Sequence, residues 1–192
     1  MEHHYSDLIV LFDGLFRSRY RTRLVCGGDE PLYRPATTPD GMHQIIFAHG
    51  FFASALHEIS HWCVAGSRRR ALEDYGYWYL PDGRNAEQQG AFEAAEVVPQ
   101  AIERLLSEAC GFRFNVSVDN LNGDVEVDRD VFAAKVQARA ERYRREGLAL
   151  RAATLRRALE AFYQQGASSD AAIEEAGAWH DEQAGICRTA WA

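Results

Sequence analysis

The sequence predicts an α+β domain in which one buried helix carries the chemistry. Three observations lead there. Apolar residues recur at helical spacing in segments spread along the whole chain. Short β-like pieces, residues 23–26 and 44–47, lie between the first two of those segments. And His57-Glu58-Ile59-Ser60-His61 sits inside an apolar helical run (Phe51, Phe52, Ala53, Ala55, Leu56, Trp62), where ionisable side chains are seldom found without partners.

Taken in order, residues 5–19 place Leu8, Leu11, Phe12, Leu15 and Phe16 on one face of an amphipathic helix. Gly27-Gly28-Asp29-Glu30-Pro31 and Thr37-Thr38-Pro39-Asp40-Gly41 are turn or loop signals that set off the two β-like pieces. Residues 51–65 contain no Pro or Gly and read as a buried helix, with Gly66 as its C′ residue and Arg68-Arg69-Arg70 near its negative end. The aromatic run Tyr75 to Leu80 reads as a strand stopped by Pro81-Asp82-Gly83. A helix is expected over 86–109, kinked or divided at Pro99, which cannot donate a backbone bond. Residues 111–127 read as irregular, and helices follow near 128–146 and 148–164. Gly166-Ala167-Ser168-Ser169-Asp170 resembles a linker. The expected division is therefore a working domain over 1–165 and a weakly ordered tail over 166–192.

Composition bounds the function. A chain of 192 residues is one domain by size and can bury a core without disulfides. Its 47% hydrophobic and 26% charged residues exclude wholesale disorder, collagen and coiled coil. No apolar run approaches the roughly 18 residues that a membrane span needs. The first residues lack the pattern of a secretory signal, so the expected compartment is the cytoplasm. Cys26, Cys63, Cys110 and Cys187 form no Cys-x-x-Cys pair and read as reduced thiols. A net charge of −7, with only short basic clusters, disfavours general nucleic-acid binding.

H-E-x-x-H places two imidazoles one helical turn apart on the same face, where both can aim a nitrogen at one metal ion. By typical residue frequencies, a chance match in a chain this long is roughly a one-in-a-hundred event. Glu58 stands about a third of a turn away; in zinc proteases the residue at that position is the general base. A third ligand is needed, and Glu93 and Glu96, on a common face of the later helix, are the candidates; spacing does not choose between them. His49, in Ala48-His49-Gly50, is placed to line the site. Two histidines and a carboxylate hold zinc in hydrolases and non-haem iron(II) in oxygenases alike, and only iron can pass electrons to dioxygen. The helix pair is zincin-like, and from the motif alone a zinc peptidase is the default reading. A metal-stabilised binding module is the non-catalytic alternative.

The residues around the motif go further. The run from Phe47 to Cys63 resembles the bacterial elongation factor P hydroxylase family, as do Asp74-Tyr75-Gly76-Tyr77-Trp78-Tyr79 with Pro81-Asp82-Gly83-Arg84, and Phe92-Glu93 with Glu96-Val97 and Pro99-Gln100-Ala101. Thr22-Arg23-Leu24, Asp29-Glu30-Pro31, Phe114-Asn115-Val116-Ser117 and Asp119-Asn120-Leu121 are also similar to it. The resemblance covers about residues 4–165. It implies a zincin-like fold that hydroxylates the β-lysylated lysine of elongation factor P, a monooxygenase reaction needing Fe(II), dioxygen and an electron donor. The implied metal ligands are His57, His61 and Glu96. Glu58 would then serve dioxygen or the substrate rather than a peptide bond. His49, Tyr79 and Asp82 are expected at the substrate, with Tyr77 and Trp78 beside them as pocket walls. An acidic chain meeting another acidic protein needs a local basic patch, and Arg68 to Arg70 are the candidates.

Overall fold

The computed structural model describes residues 2–76, 83–118 and 128–189. The elements are α1 (Tyr5–Tyr20), β1 (Thr22–Cys26), β2 (Leu32–Arg34), β3 (His43–Phe47), α2 (Phe52–Val64), α3 (Ala86–Cys110), α4 (Arg129–Glu146), α5 (Leu150–Tyr163) and α6 (Ser169–Thr189). The α+β expectation therefore holds at the level of class. The sheet has the order β1-β3-β2, with β1 parallel and β2 antiparallel to β3. Strand β2 went unread in the sequence because three residues are too few to show alternation.

One core joins α1, the sheet, α2, α5 and parts of α3 and α6. Leu8, Leu11, Phe12, Leu15 and Phe16 of α1 are all fully buried, as their spacing predicts. Asp13 fixes α1 on the sheet by accepting the Leu24 amide at 2.9 Å. A second cluster unites Ala101 and Leu105 of α3 with Phe132, Val136 and Ala140 of α4, and Val118 packs into it. Between these two clusters α3 is packed along its length, and this is what holds the site helix in place.

Several local expectations are corrected. Helix α3 runs unbroken through Pro99; one missing backbone bond is tolerated in a 25-residue helix packed against α2, α4 and α5. Its start carries a full capping box, with Asn85 and Gln88 satisfying each other's backbone amides. Helix α2 does not end on a left-handed Gly66. Ala65 is extended, and arginines satisfy the carbonyls instead: Arg151 donates to Cys63 O at 3.1 Å and Ala65 O at 2.7 Å, and Arg70 donates to Ala65 O at 2.6 Å. Tyr75 and Gly76 belong to a 3-10 turn (Glu73–Gly76) rather than to a strand, and Asp74 and Tyr75 are both left-handed, with φ of 49° and 58°. The rest of that aromatic run, with Tyr77, Trp78, Tyr79 and Asp82, lies outside the described residues.

The segment expected as a tail forms α6, which packs on α5 and α1. Ala172 and Ala176 are buried in the main core, and His180 bonds the Tyr20 hydroxyl at 2.9 Å. Asp181 accepts two bonds from Arg19, at 2.8 and 2.6 Å. The approach of α6 to α1 is close: a Cβ on Gly14 would fall 2.5 Å from Ile173 Cδ1, and one on Gly177 would fall 3.0 Å from Arg19 Nη2. The linker-like run from Gly166 to Asp170 made α6 look weakly attached in the sequence, yet Gly14 and Gly177 allow this close contact.

Ending the chain after Gln165 is expected to lower the unfolding free energy by about 3 kcal/mol or more, since it uncovers the α1 and α5 faces. Gly14→Ala is expected to destabilise the full chain, although alanine favours a helix by about 1 kcal/mol. In the shortened chain the same substitution is expected to turn neutral or stabilising. Urea denaturation of the four proteins reads out both effects.

Candidate metal centre

Helix α2 presents His57 and His61 to α3, which presents Glu96. One ligand atom from each of the three lies within 4.8 Å of the others. His61 Nε2 is 3.1 Å from Glu96 Oε1, and His57 Nε2 is 3.6 Å from Glu96 Oε2. The two imidazole Nε2 atoms are 3.1 Å apart. The carboxylate of Glu96 is 2% exposed and the ring of His61 6%, while His57 keeps a quarter of its side chain open to solvent. The set is therefore buried at His61 and Glu96 and open to solvent beside His57.

Glu103, two turns after Glu96 on α3, accepts a hydrogen bond from His57 Nδ1 at 2.8 Å. With Glu103 on Nδ1, Nε2 is the nitrogen that faces His61 and Glu96 and is left to bind a metal once its proton is displaced. Gln100, between the two glutamates, donates to Glu96 Oε2 at 3.1 Å. Burial alone would lower the pKa of His57, but the charge and hydrogen bond of Glu103, helped by Glu96 and Glu58, lift it to about 10. Burial alone would raise Glu96; the charges of His61 and His57 and the bonds from His61 and Gln100 hold it down at about 2. Two imidazoles and two carboxylates thus meet in one cluster, and His57, His61 and Glu96 offer a donor set of the kind that holds a divalent cation.

Glu58, next to His57, is half-buried, and burial raises its pKa against the pull of both histidines. Tyr75 stacks on His61 at 6.2 Å and on Tyr33 at 4.2 Å, and its hydroxyl donates to the Glu58 carbonyl at 3.4 Å. The left-handed turn at Asp74 and Tyr75 is held by those stacks and by Asp74, which accepts the Tyr33 amide at 3.1 Å.

The structure brings together His57, His61 and Glu96 and leaves Glu93 aside. Glu93 pairs with Lys135 at 3.2 Å and accepts from Gln89 at 3.4 Å. His49 stands apart from the cluster, at an exposed left-handed position (φ 52°), with Phe51 5.4 Å away across the turn into α2. Of the arginine triplet, Arg68 and Arg69 are exposed, and Arg70 donates to the Ala65 carbonyl at the end of α2. Sequence reasoning missed Glu103 and the link that Gln100 makes. The signal was present: Glu96, Gln100 and Glu103 are spaced four and three apart, so they share a helix face.

Among the described residues, no helix is long and apolar enough to cross a membrane. The elongation factor P hydroxylase family matches residues 11–173. The chain is 53% identical over 163 residues to a Haemophilus influenzae protein named elongation factor P lysine hydroxylase, an alignment that covers 85% of this chain and 91% of that protein. The match takes in α2 and α3 whole, and with them every residue of the cluster. The chain belongs to the elongation factor P hydroxylase family.

Proposed function

We propose that this protein hydroxylates the β-lysylated lysine side chain of elongation factor P in the cytoplasm, as a monooxygenase that uses Fe(II) held by His57, His61 and Glu96 on a zincin-like fold. Family membership supports the reaction. The observation that carries the site is the convergence of two imidazole nitrogens and one carboxylate within 4.8 Å. That donor set, open on one side, suits non-haem iron(II). When bound there, the metal supplies electrons to dioxygen, which an unactivated C–H bond requires because no side-chain base can remove its proton.

The chain's own residues have separable tasks. Glu103 holds the His57 ring with Nε2 turned inward. Gln100 holds one oxygen of Glu96, donating to Oε2 at 3.1 Å. Glu58, half-buried and next to His57, is the group placed to relay a proton beside the cluster. His49 and Phe51 offer an exposed imidazole and an exposed ring at the start of the metal helix, a surface suited to an ammonium group. Tyr79 and Asp82 complete the substrate side on the strength of the resemblance. Arg68 and Arg69 supply the local positive charge for an acidic protein partner. The peptidase reading rests on H-E-x-x-H alone, and family membership disfavours it.

Incubation of β-lysylated elongation factor P with the Fe(II)-loaded protein and a reductant is expected to add one oxygen atom, read by intact mass. Glu96→Ala is expected to abolish the gain. No gain under any reducing condition would overturn the reading, and casein cleavage by the Zn(II)-loaded protein would restore the peptidase. Glu103→Ala is expected to weaken metal affinity by about 10- to 100-fold, with Glu103→Gln recovering part of the loss through its carbonyl; competition with a chelator measures both. Replacing Arg68 and Arg69 with alanine is expected to slow modification several-fold and leave metal content unchanged.

A further inference from the structure

Gln100 is 1% exposed, and both its amide hydrogens and its carbonyl oxygen are engaged. Its Nε2 donates to Glu96 Oε2 at 3.1 Å and to the Ser117 carbonyl at 2.6 Å, and its Oε1 accepts the Ser117 amide at 3.0 Å. The amide cannot be reversed, because Oε1 would then face a carboxylate and a carbonyl. Ser117 belongs to the irregular segment 112–118, which is anchored on both sides of it. Arg129 donates to the Val116 carbonyl at 2.7 Å, and Val118 is buried between α3 and α4. A single side chain thus fixes both a carboxylate of the candidate metal set and the backbone of the 112–118 segment.

We propose that Gln100 is a positioning residue that ties Glu96 to the 112–118 segment, so that filling the site with a divalent metal and ordering that segment strengthen each other. The proposal rests on the reading of His57, His61 and Glu96 as ligands. Metal fixes the Glu96 carboxylate, the carboxylate fixes the Gln100 amide, and the amide closes on Ser117. The coupling is reciprocal, so the factor by which metal protects the segment equals the factor by which the segment tightens metal.

The test uses the full chain and Zn(II), which fits the donor set and is diamagnetic. Zn(II) is expected to slow hydrogen exchange of the Ser117 amide about tenfold, read by NMR. Gln100→Met is expected to bind Zn(II) about tenfold more weakly in chelator competition, with fast Ser117 exchange that Zn(II) leaves unchanged. A purely structural Gln100 would shift thermal stability and leave Zn(II) affinity alone, which overturns the proposal. So does wild-type exchange at Ser117 that ignores Zn(II). If Gln100→Met fails to fold, Ser117→Pro removes the amide that Gln100 accepts; unchanged affinity there is equally fatal. A wild-type chain that takes up neither Zn(II) nor Fe(II) overturns the ligand reading and this proposal together, whereas wild-type uptake matched by the variants overturns this proposal only.

Discussion

The structure depends on one constraint: charges buried between α2 and α3 must satisfy one another. Glu96 is almost completely enclosed, and an isolated carboxylate in that position would cost several kcal/mol. Its charge partners His57 and His61 come from a different helix, so α2 and α3 have to meet at a fixed register. Both neighbouring hydrophobic clusters serve that register. One seats α2 against α1 and the sheet; the other seats α3 against α4. The polar cluster contributes little net stability by itself, because desolvation offsets most of the attraction. Its contribution is specificity: a slip of one residue in either helix would leave a buried charge without its counterpart.

That constraint explains what could be read from the residues alone and what could not. His57 and His61 were legible because a helix turns every 3.6 residues and the motif is local. Glu96 was not separable from Glu93 by spacing, since both share a face; the choice depends on where α3 docks, a tertiary matter. Glu103 and Gln100 were hidden for a more general reason. Along α3, Gln89, Glu93, Glu96, Gln100, Glu103 and Ser107 alternate four and three apart. Such a polar stripe ordinarily marks the solvent side of an amphipathic helix. Here all of them except the half-buried Glu93 are buried, because the stripe meets charged and polar partners on α2 and on the 112–118 segment. Periodicity identifies a face; it does not say whether that face meets water or a complementary polar surface.

The misread helix ends follow similar logic. Gly66 looked like a C-terminal cap because glycine adopts left-handed geometry freely, yet the carbonyls it would have served are taken by Arg151, from a helix some 90 positions later in the chain. Pro99 looked like a break because local rules count a lost bond and cannot count the packing that outweighs it. In α6 the apparent weakness came from the linker-like residues before it, which say nothing of the alanines and glycine that let it approach α1 closely.

The support behind the metal helix ties stability to the geometry of the site. Trp62 directly follows His61 and points to the opposite side of α2, where Phe12, Phe16 and Tyr20 surround it with ring centroids 5.0 to 5.5 Å away. Arg151 covers Trp62 at 4.5 Å while holding the carbonyls at the end of α2. Tyr20 in turn bonds His180 of α6. The two histidines are therefore presented by a helix whose rear face is locked by rings from α1, an arginine from α5 and, one step further, the C-terminal helix. A ligand set tolerates displacements of only about 0.5 Å before its donors lose a common centre. Loosening α6 acts on Tyr20, then on Trp62, then on the position of His61, so a change far from the cluster can shift its geometry without touching any of its residues. The same packing that makes α2 stable makes it a fixed mount, which accounts for so large a share of the aromatic core lying behind a single turn of helix.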